Sequence, residues 1–150
     1  MTKAIHGSFT LERVYDASPD RVFKAFTDPE SKARWFVGSD GWQEIARELD
    51  FRPGGQEVAH GRFPNGAETR FVARYHEITP NERLVYAYDM HAAGVFMSVS
   101  LATVELTPQG EKTVLRITEQ GVFIDGQDGN ESRRQGTAYL LEQIAANLPG

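Results

Sequence analysis

Hydrophobic and polar positions alternate along most of this chain, and two stretches that do not alternate, one early and one at the end, have helical spacing instead. Residues 9–15 (FTLERVY) open the strand pattern, with Phe9, Leu11, Arg13 and Tyr15 on one face and Thr10, Glu12 and Val14 on the other. Ser18 and Pro19 then read as a helix N-cap followed by proline at the first helical position. Asp20 adds a carboxylate to the first turn, where the helix dipole favours it. Val22, Phe23 and Phe26 form one apolar stripe, and Asp28-Pro29 stops the helix. A second short helix is expected over roughly 30–36, ending in the pair Trp35-Phe36, with Gly38 and Gly41 breaking the chain beyond it.

From Trp42 to Gly121 the signals are those of strands, at about 44–51, 56–63, 69–78, 83–90, 95–107 and 113–121. The punctuation between them is turn chemistry: Pro53-Gly54-Gly55, Pro64-Asn65-Gly66, Thr79-Pro80-Asn81 and Pro108-Gln109-Gly110. Strands joined by such short loops pair as antiparallel hairpins. Helical spacing returns over 130–148, where Gly136, Leu140, Ile144 and Leu148 lie four apart beside Leu141, while Arg133, Arg134, Glu142 and Asn147 are expected to face water.

No composition shift, linker or repeat divides the 150 residues, so residues 1–150 read as one domain. One antiparallel sheet of about seven strands must cover an apolar face, and the long terminal helix can do so; the class is α+β, with the two short helices closing one end of the sheet. Composition then narrows the chemistry. Sixteen Lys and Arg against twenty-one Asp and Glu leave a net charge of −5, which argues against a general nucleic-acid binder. The absence of cysteine excludes a disulfide framework, a thiolate nucleophile and cysteine-ligated zinc. The apolar runs are too short to span a bilayer, and residues 1–7 lack the apolar stretch of a signal peptide, so a cytoplasmic protein is expected.

The hairpin 56–63/69–76 is the most informative segment. One side collects His60, Arg62, Arg70, Arg74 and His76; the other collects Ala59, Gly61, Phe63, Phe71, Ala73 and Tyr75. The first is the solvent face and the second the core face. Ala59, Gly61 and Ala73 supply little volume where a packed core prefers Val, Ile or Leu. Either the long helix approaches closely there or the space is left open, and the aromatic residues expected on the concave side (Trp35, Trp42, Tyr75, Tyr86, Tyr88, Phe123, Tyr139) favour a cavity. Glu57 shares parity with Ala59 and Gly61, which puts it either in that cavity or at a strand end in water.

Other constellations carry less. The basic hairpin face is diluted by Glu57, Glu68 and Glu77 and reads as a solvated surface. His6, His60, His76 and His91 include no pair with HExxH spacing, so no metal site is expected. There is no GxSxG elbow, and no GK[ST] follows Pro53-Gly54-Gly55, so neither nucleophilic catalysis nor nucleotide hydrolysis is expected, and no cofactor is either. Glu57, Glu105 and Glu119 fall within strands, and any of them inside an apolar pocket would suit general acid or base work. Arg13 and Glu119, on strands expected to be neighbours, are read preferentially as a structural ion pair.

Four segments together resemble the START-like (SRPBCC) superfamily, in the bacterial branch related to activators of the heat-shock-protein-90 ATPase. They are Arg13-Val14-Tyr15-Asp16-Ala17 with Val22-Phe23, Thr27-Asp28-Pro29 and Trp35; Phe51-Arg52-Pro53-Gly54-Gly55; the hairpin from Pro64 to Ile78 continuing through Pro80 to Val85; and Thr113 to Thr118, Gly121 and Gly136 through Leu148. The resemblance implies a helix-grip fold, a curved sheet wrapped round the C-terminal helix with a cavity between them. It also implies binding of a lipid, a polyketide or another hydrophobic or aromatic molecule, with some members acting as cyclases or dehydratases. Relatives often carry a bulky apolar residue two positions beyond the glycine pair, where this chain has Glu57, so the guest is expected to carry a hydrogen-bond donor or positive charge.

The expected function is therefore binding of a small hydrophobic molecule, with Trp35, Trp42, Tyr75, Tyr86 and Phe123 as walls and Glu57 as the orienting polar group. An enzyme (cyclase, dehydratase or hydrolase) using a pocket carboxylate is the alternative. A chaperone-ATPase partner ranks last, since the additional N-terminal domain of the eukaryotic activators has no counterpart here. A homodimer is compatible with exposed strand edges, though no pattern demands one.

Overall fold

The computed structural model describes residues 3–39, 41–124 and 129–149. Ten elements follow in order: β1 (Ile5–Tyr15), α1 (Pro19–Thr27), α2 (Pro29–Trp35), β2 (Gln43–Leu49), β3 (Gln56–Arg62), β4 (Glu68–Thr79), β5 (Arg83–Ala92), β6 (Val95–Gln109), β7 (Lys112–Phe123) and α3 (Asn130–Ala146). The seven strands form one antiparallel sheet in the order β1-β7-β6-β5-β4-β3-β2. This is the α+β helix-grip arrangement expected from the sequence. Strand β1 starts four residues before the expected Phe9, and α3 stops at Ala146, leaving Leu148 beyond the helix.

Local chemistry explains the connections. Asp28 ends α1 and caps α2, its carboxylate accepting from the Ser31 amide at 3.1 Å and the Ser31 hydroxyl at 2.9 Å. The Ser18 side chain makes no cap bond to α1; its hydroxyl donates to Asp20 instead. At the glycine pair, Gly54 has φ +83°, and a Cβ on Gly55 would lie 2.0 Å from the Asp50 carbonyl oxygen, so neither position takes a side chain without strain. This tight turn bonds to Tyr75 of β4 through Gly54 N–H to Tyr75 O and Tyr75 N–H to Gly55 O. Register shifts at Glu44/Ala46, Tyr75/Glu77 and Met90/His91 mark bulges that bend the sheet.

The concave face of the sheet divides into two halves. In one, Leu84, Val104, Leu106, Leu115 and Ile117 meet Val22, Phe23 and Phe26 of α1, Trp35 of α2 and Leu141 and Ile144 of α3. Here the C-terminal half of α3 is locked down, and the Tyr15 hydroxyl donates to the Leu141 carbonyl at 2.8 Å. The other half is a smaller cluster of Ala59, Phe71, Ala73, Tyr88 and Ala102 with Phe36, Tyr86 and Met90 packed against it. Among the described residues no helix is long and apolar enough to cross a membrane.

Candidate functional site

The second half of the concave face is hollow. Between the sheet, α2 and the inward face of α3 lies a cavity of about 520 Å³, within the range of about 300–1,000 Å³ usual for small-molecule sites. Small residues cluster beneath it: Ala59, Ala73 and Ala102 supply little volume on the sheet, and the buried Ser98 and Ser100 lie under Arg133. The facing turns of α3 carry Ser132 and Gly136, and a Cβ at Gly136 would meet no atom within 4 Å. Phe36, Phe71, Tyr86, Met90, Phe123 and Leu140 supply much of the apolar lining, while Lys32, Glu119, Arg133 and Thr137 bring polar atoms.

The residues singled out in the sequence fall in three places. Trp35, Tyr86 and Phe123 line the cavity. The Trp35 ring is fixed by its indole N–H, which donates to the Ala25 carbonyl at 2.8 Å, and by edge contact with Phe26. Trp42 borders a second, smaller cavity of about 210 Å³ that shares Phe36, Phe71, Met90 and Leu140 with the first. The indole of Trp42 covers Gly61, where a Cβ would lie 2.0 Å from Cε2 and Cζ2, and its N–H donates to Thr69 Oγ1 at 2.9 Å. The missing volume at Gly61 is thus filled by an aromatic ring, not by the long helix.

Glu57 and Tyr75 stand behind the lining, each 1% exposed. Oε1 of Glu57 accepts from Lys32 Nζ at 2.8 Å and from the Tyr75 hydroxyl at 2.6 Å. Burial, reinforced by the Glu57 charge, holds the Tyr75 hydroxyl far above its ordinary pKa, so it remains a donor. Lys32 in turn lies 4.7 Å from the centroid of the Phe36 ring and borders the cavity. The acidic group expected at one wall is already matched by a cation, which removes the ground for a positively charged guest.

Three expectations fail: the Arg13–Glu119 pair, Tyr139 on the concave side and Arg133 in water. Arg13 does not pair with Glu119: across β1–β7 Glu119 faces Phe9 and Arg13 faces Leu115, and the Arg13 guanidinium binds Glu142 at 2.9 Å. Glu105 is exposed on the convex side of β6, and Tyr139, expected on the concave side, is 40% exposed. Arg133, expected to face water, turns inward over the rings of Tyr88 and Phe123, at 5.5 and 5.3 Å from their centroids. It donates to Tyr88 Oη at 3.0 Å, Ser100 Oγ at 3.3 Å and Ser98 Oγ at 2.7 Å.

Glu119 occupies the cavity wall beside it, 5% exposed. The Tyr88 hydroxyl donates to its Oε1, and Thr137 Oγ1 donates to Oε2 at 3.4 Å. Burial pushes the Glu119 carboxyl above the ordinary carboxylate range, against the opposing effects of the Tyr88 hydrogen bond, the Arg133 charge and the Thr137 hydrogen bond. Tyr88 therefore bridges an arginine and a carboxyl of raised proton affinity. Lys32 was legible in principle, since it precedes Trp35 and Phe36 by three and four positions on a helix; Arg133 had no such signal.

Comparison with known proteins gives a consistent picture. The family model described as Activator of Hsp90 ATPase homolog 1-like protein matches residues 16–149. Among solved structures, Mll3558 of Rhizobium loti is 46% identical, with a TM-score of 0.90 over 97% of this chain and 99% of that one. An uncharacterized protein of Rhizobium leguminosarum is 37% identical, with a TM-score of 0.92 over 97% and 96%. CV1439 of Chromobacterium violaceum is 29% identical, with a TM-score of 0.76 over 96% and 99%. No curated protein matches.

Proposed function

The chain belongs to the family of Activator of Hsp90 ATPase homolog 1-like proteins, in the START-like superfamily, and from that premise we propose that it binds a small, largely apolar molecule between its sheet and α3. The observation that carries this reading is the cavity of about 520 Å³ with a mostly apolar and aromatic lining and a few converging polar groups. Burying about 200 Å² of apolar guest surface contributes on the order of 5 kcal/mol before the costs of association, consistent with micromolar or weaker affinity. Cytoplasmic residence belongs to the same proposal.

The test uses N-phenylnaphthylamine, a neutral probe that fluoresces in apolar surroundings, with native protein and Gly136→Leu. Gly136 borders the cavity and has open space above it, so the leucine side chain occupies guest volume. Saturable binding to the native protein that is weakened at least tenfold in Gly136→Leu supports the reading. Equal binding to both, or none to either, counts against it.

A second reading is favoured by one observation, the raised proton affinity of Glu119 on the cavity wall, which suits a general acid in a cyclase, dehydratase or hydrolase. Turnover of any such substrate that survives Glu119→Gln would remove it. A chaperone-related role rests on the family description alone.

A further inference from the structure

We propose that the guest carries an anionic head, a carboxylate, which docks on Arg133, with its apolar body against Phe36, Phe71, Met90 and Leu140. The inference rests on the ligand-binding reading above and specifies the chemical class of the guest.

Among the described residues, four Lys, Arg or Glu side chains stand at or just behind the lining: Lys32, Glu57, Glu119 and Arg133. Lys32 and Glu57 neutralise each other at 2.8 Å. The remaining two are not equivalent. Among the described residues Arg133 forms no ion pair; its donors go to three neutral hydroxyls, those of Tyr88, Ser98 and Ser100. Glu119 is separated from it by the Tyr88 hydroxyl, and burial works against the carboxyl's ionised form. An arginine side chain is cationic, so among the described residues the excess at this end of the cavity is positive.

The guanidinium is also held in place. Ser98 and Ser100 are 0% and 4% exposed and Tyr88 is 5% exposed, so the three hydroxyls sit in the rigid sheet. All three bonds go to Nη1 and Nη2, and Nε donates to no described residue. An arginine offers five N–H donors in a planar fork that matches a carboxylate, and this one lies over the rings of Tyr88 and Phe123. A fixed cation at one end of a mostly apolar chamber fits an amphiphile: an acid with a hydrocarbon or aromatic body.

Decanoate and decanol test this directly, since they share a chain and differ in the head. Each is titrated by calorimetry into the native protein, Arg133→Gln and Arg133→Lys at pH 7. The native protein is expected to bind decanoate at least tenfold more tightly than decanol, as a charge-assisted contact provides. Arg133→Gln should erase that preference, with a native circular-dichroism spectrum and a cooperative urea transition reporting an intact fold. Arg133→Lys, which keeps the charge without the fork, should retain part of it. Equal affinities in the native protein, or a preference that persists in Arg133→Gln, overturn the assignment of the head while leaving a ligand-binding cavity in place. Failure of both compounds to bind any of the three proteins overturns the cavity reading and this inference with it.

Discussion

The Lys32 ammonium lies 2.8 Å from Oε1 of Glu57, with the two side chains 5% and 2% exposed. A pair so deeply buried is held in place by mutual compensation, and losing one partner strands the other charge. Lys32→Met is therefore expected to destabilise the fold by about 3–5 kcal/mol in urea unfolding. The double variant Lys32→Met/Glu57→Gln should recover most of that loss, because the amide needs no counter-ion and still accepts from Tyr75. A double variant no more stable than Lys32→Met would mean that packing, not charge, dominates at this site.

Glu119 sets a pH dependence of stability. Folding raises its proton affinity, so its contribution favours the folded state below the ordinary carboxylate range and is lost as pH rises through the folded pKa. Tyr88, whose own pKa burial raises, stays protonated throughout and keeps donating. Glu119→Gln should accordingly be more stable than the native protein at pH 7–8, with the difference shrinking toward pH 4. Thermal melts across that span measure it, and a constant offset at every pH would contradict the assignment.

Gly61 provides a packing test away from the charges. Alanine there would place a methyl carbon 2.0 Å from the Trp42 ring, and the indole must move off the sheet. We expect a loss of about 1–3 kcal/mol, as for other overpacked positions. A red-shifted tryptophan emission, reporting Trp42 entering water, should accompany it. Unchanged emission would place the accommodation in the backbone instead.

The scaffold was largely legible because short-range chemistry specifies it. Proline and glycine mark most of its turns, and the alternation around Pro64-Asn65-Gly66 already separates Arg62, Arg70 and Arg74 from Ala59, Phe71 and Ala73. The polar end of the cavity was not, since its partners come from distant parts of the chain. Arg133 looks like a solvated helical residue until Tyr88, Ser98 and Ser100 are seen beneath it. Arg13 and Glu119 do lie on neighbouring strands, yet their register is four residues out, roughly 13 Å along the strand. Alternation predicts which face a residue takes; it leaves open which residue it will meet. The small residues were informative about missing volume, but only the coordinates separate Gly61, covered by Trp42, from Gly136, which faces open space.

The split of the concave face into a leucine-rich half and a hollow half also separates two selective demands. Cohesion comes chiefly from the end where Leu84, Val104, Leu106 and Leu115 interlock, while recognition is set by residues such as Met90, Arg133 and Gly136 at the other. Changes among the second group leave the interlocked end untouched. Descendants of such a chain can exchange one cargo for another while inheriting the same fold.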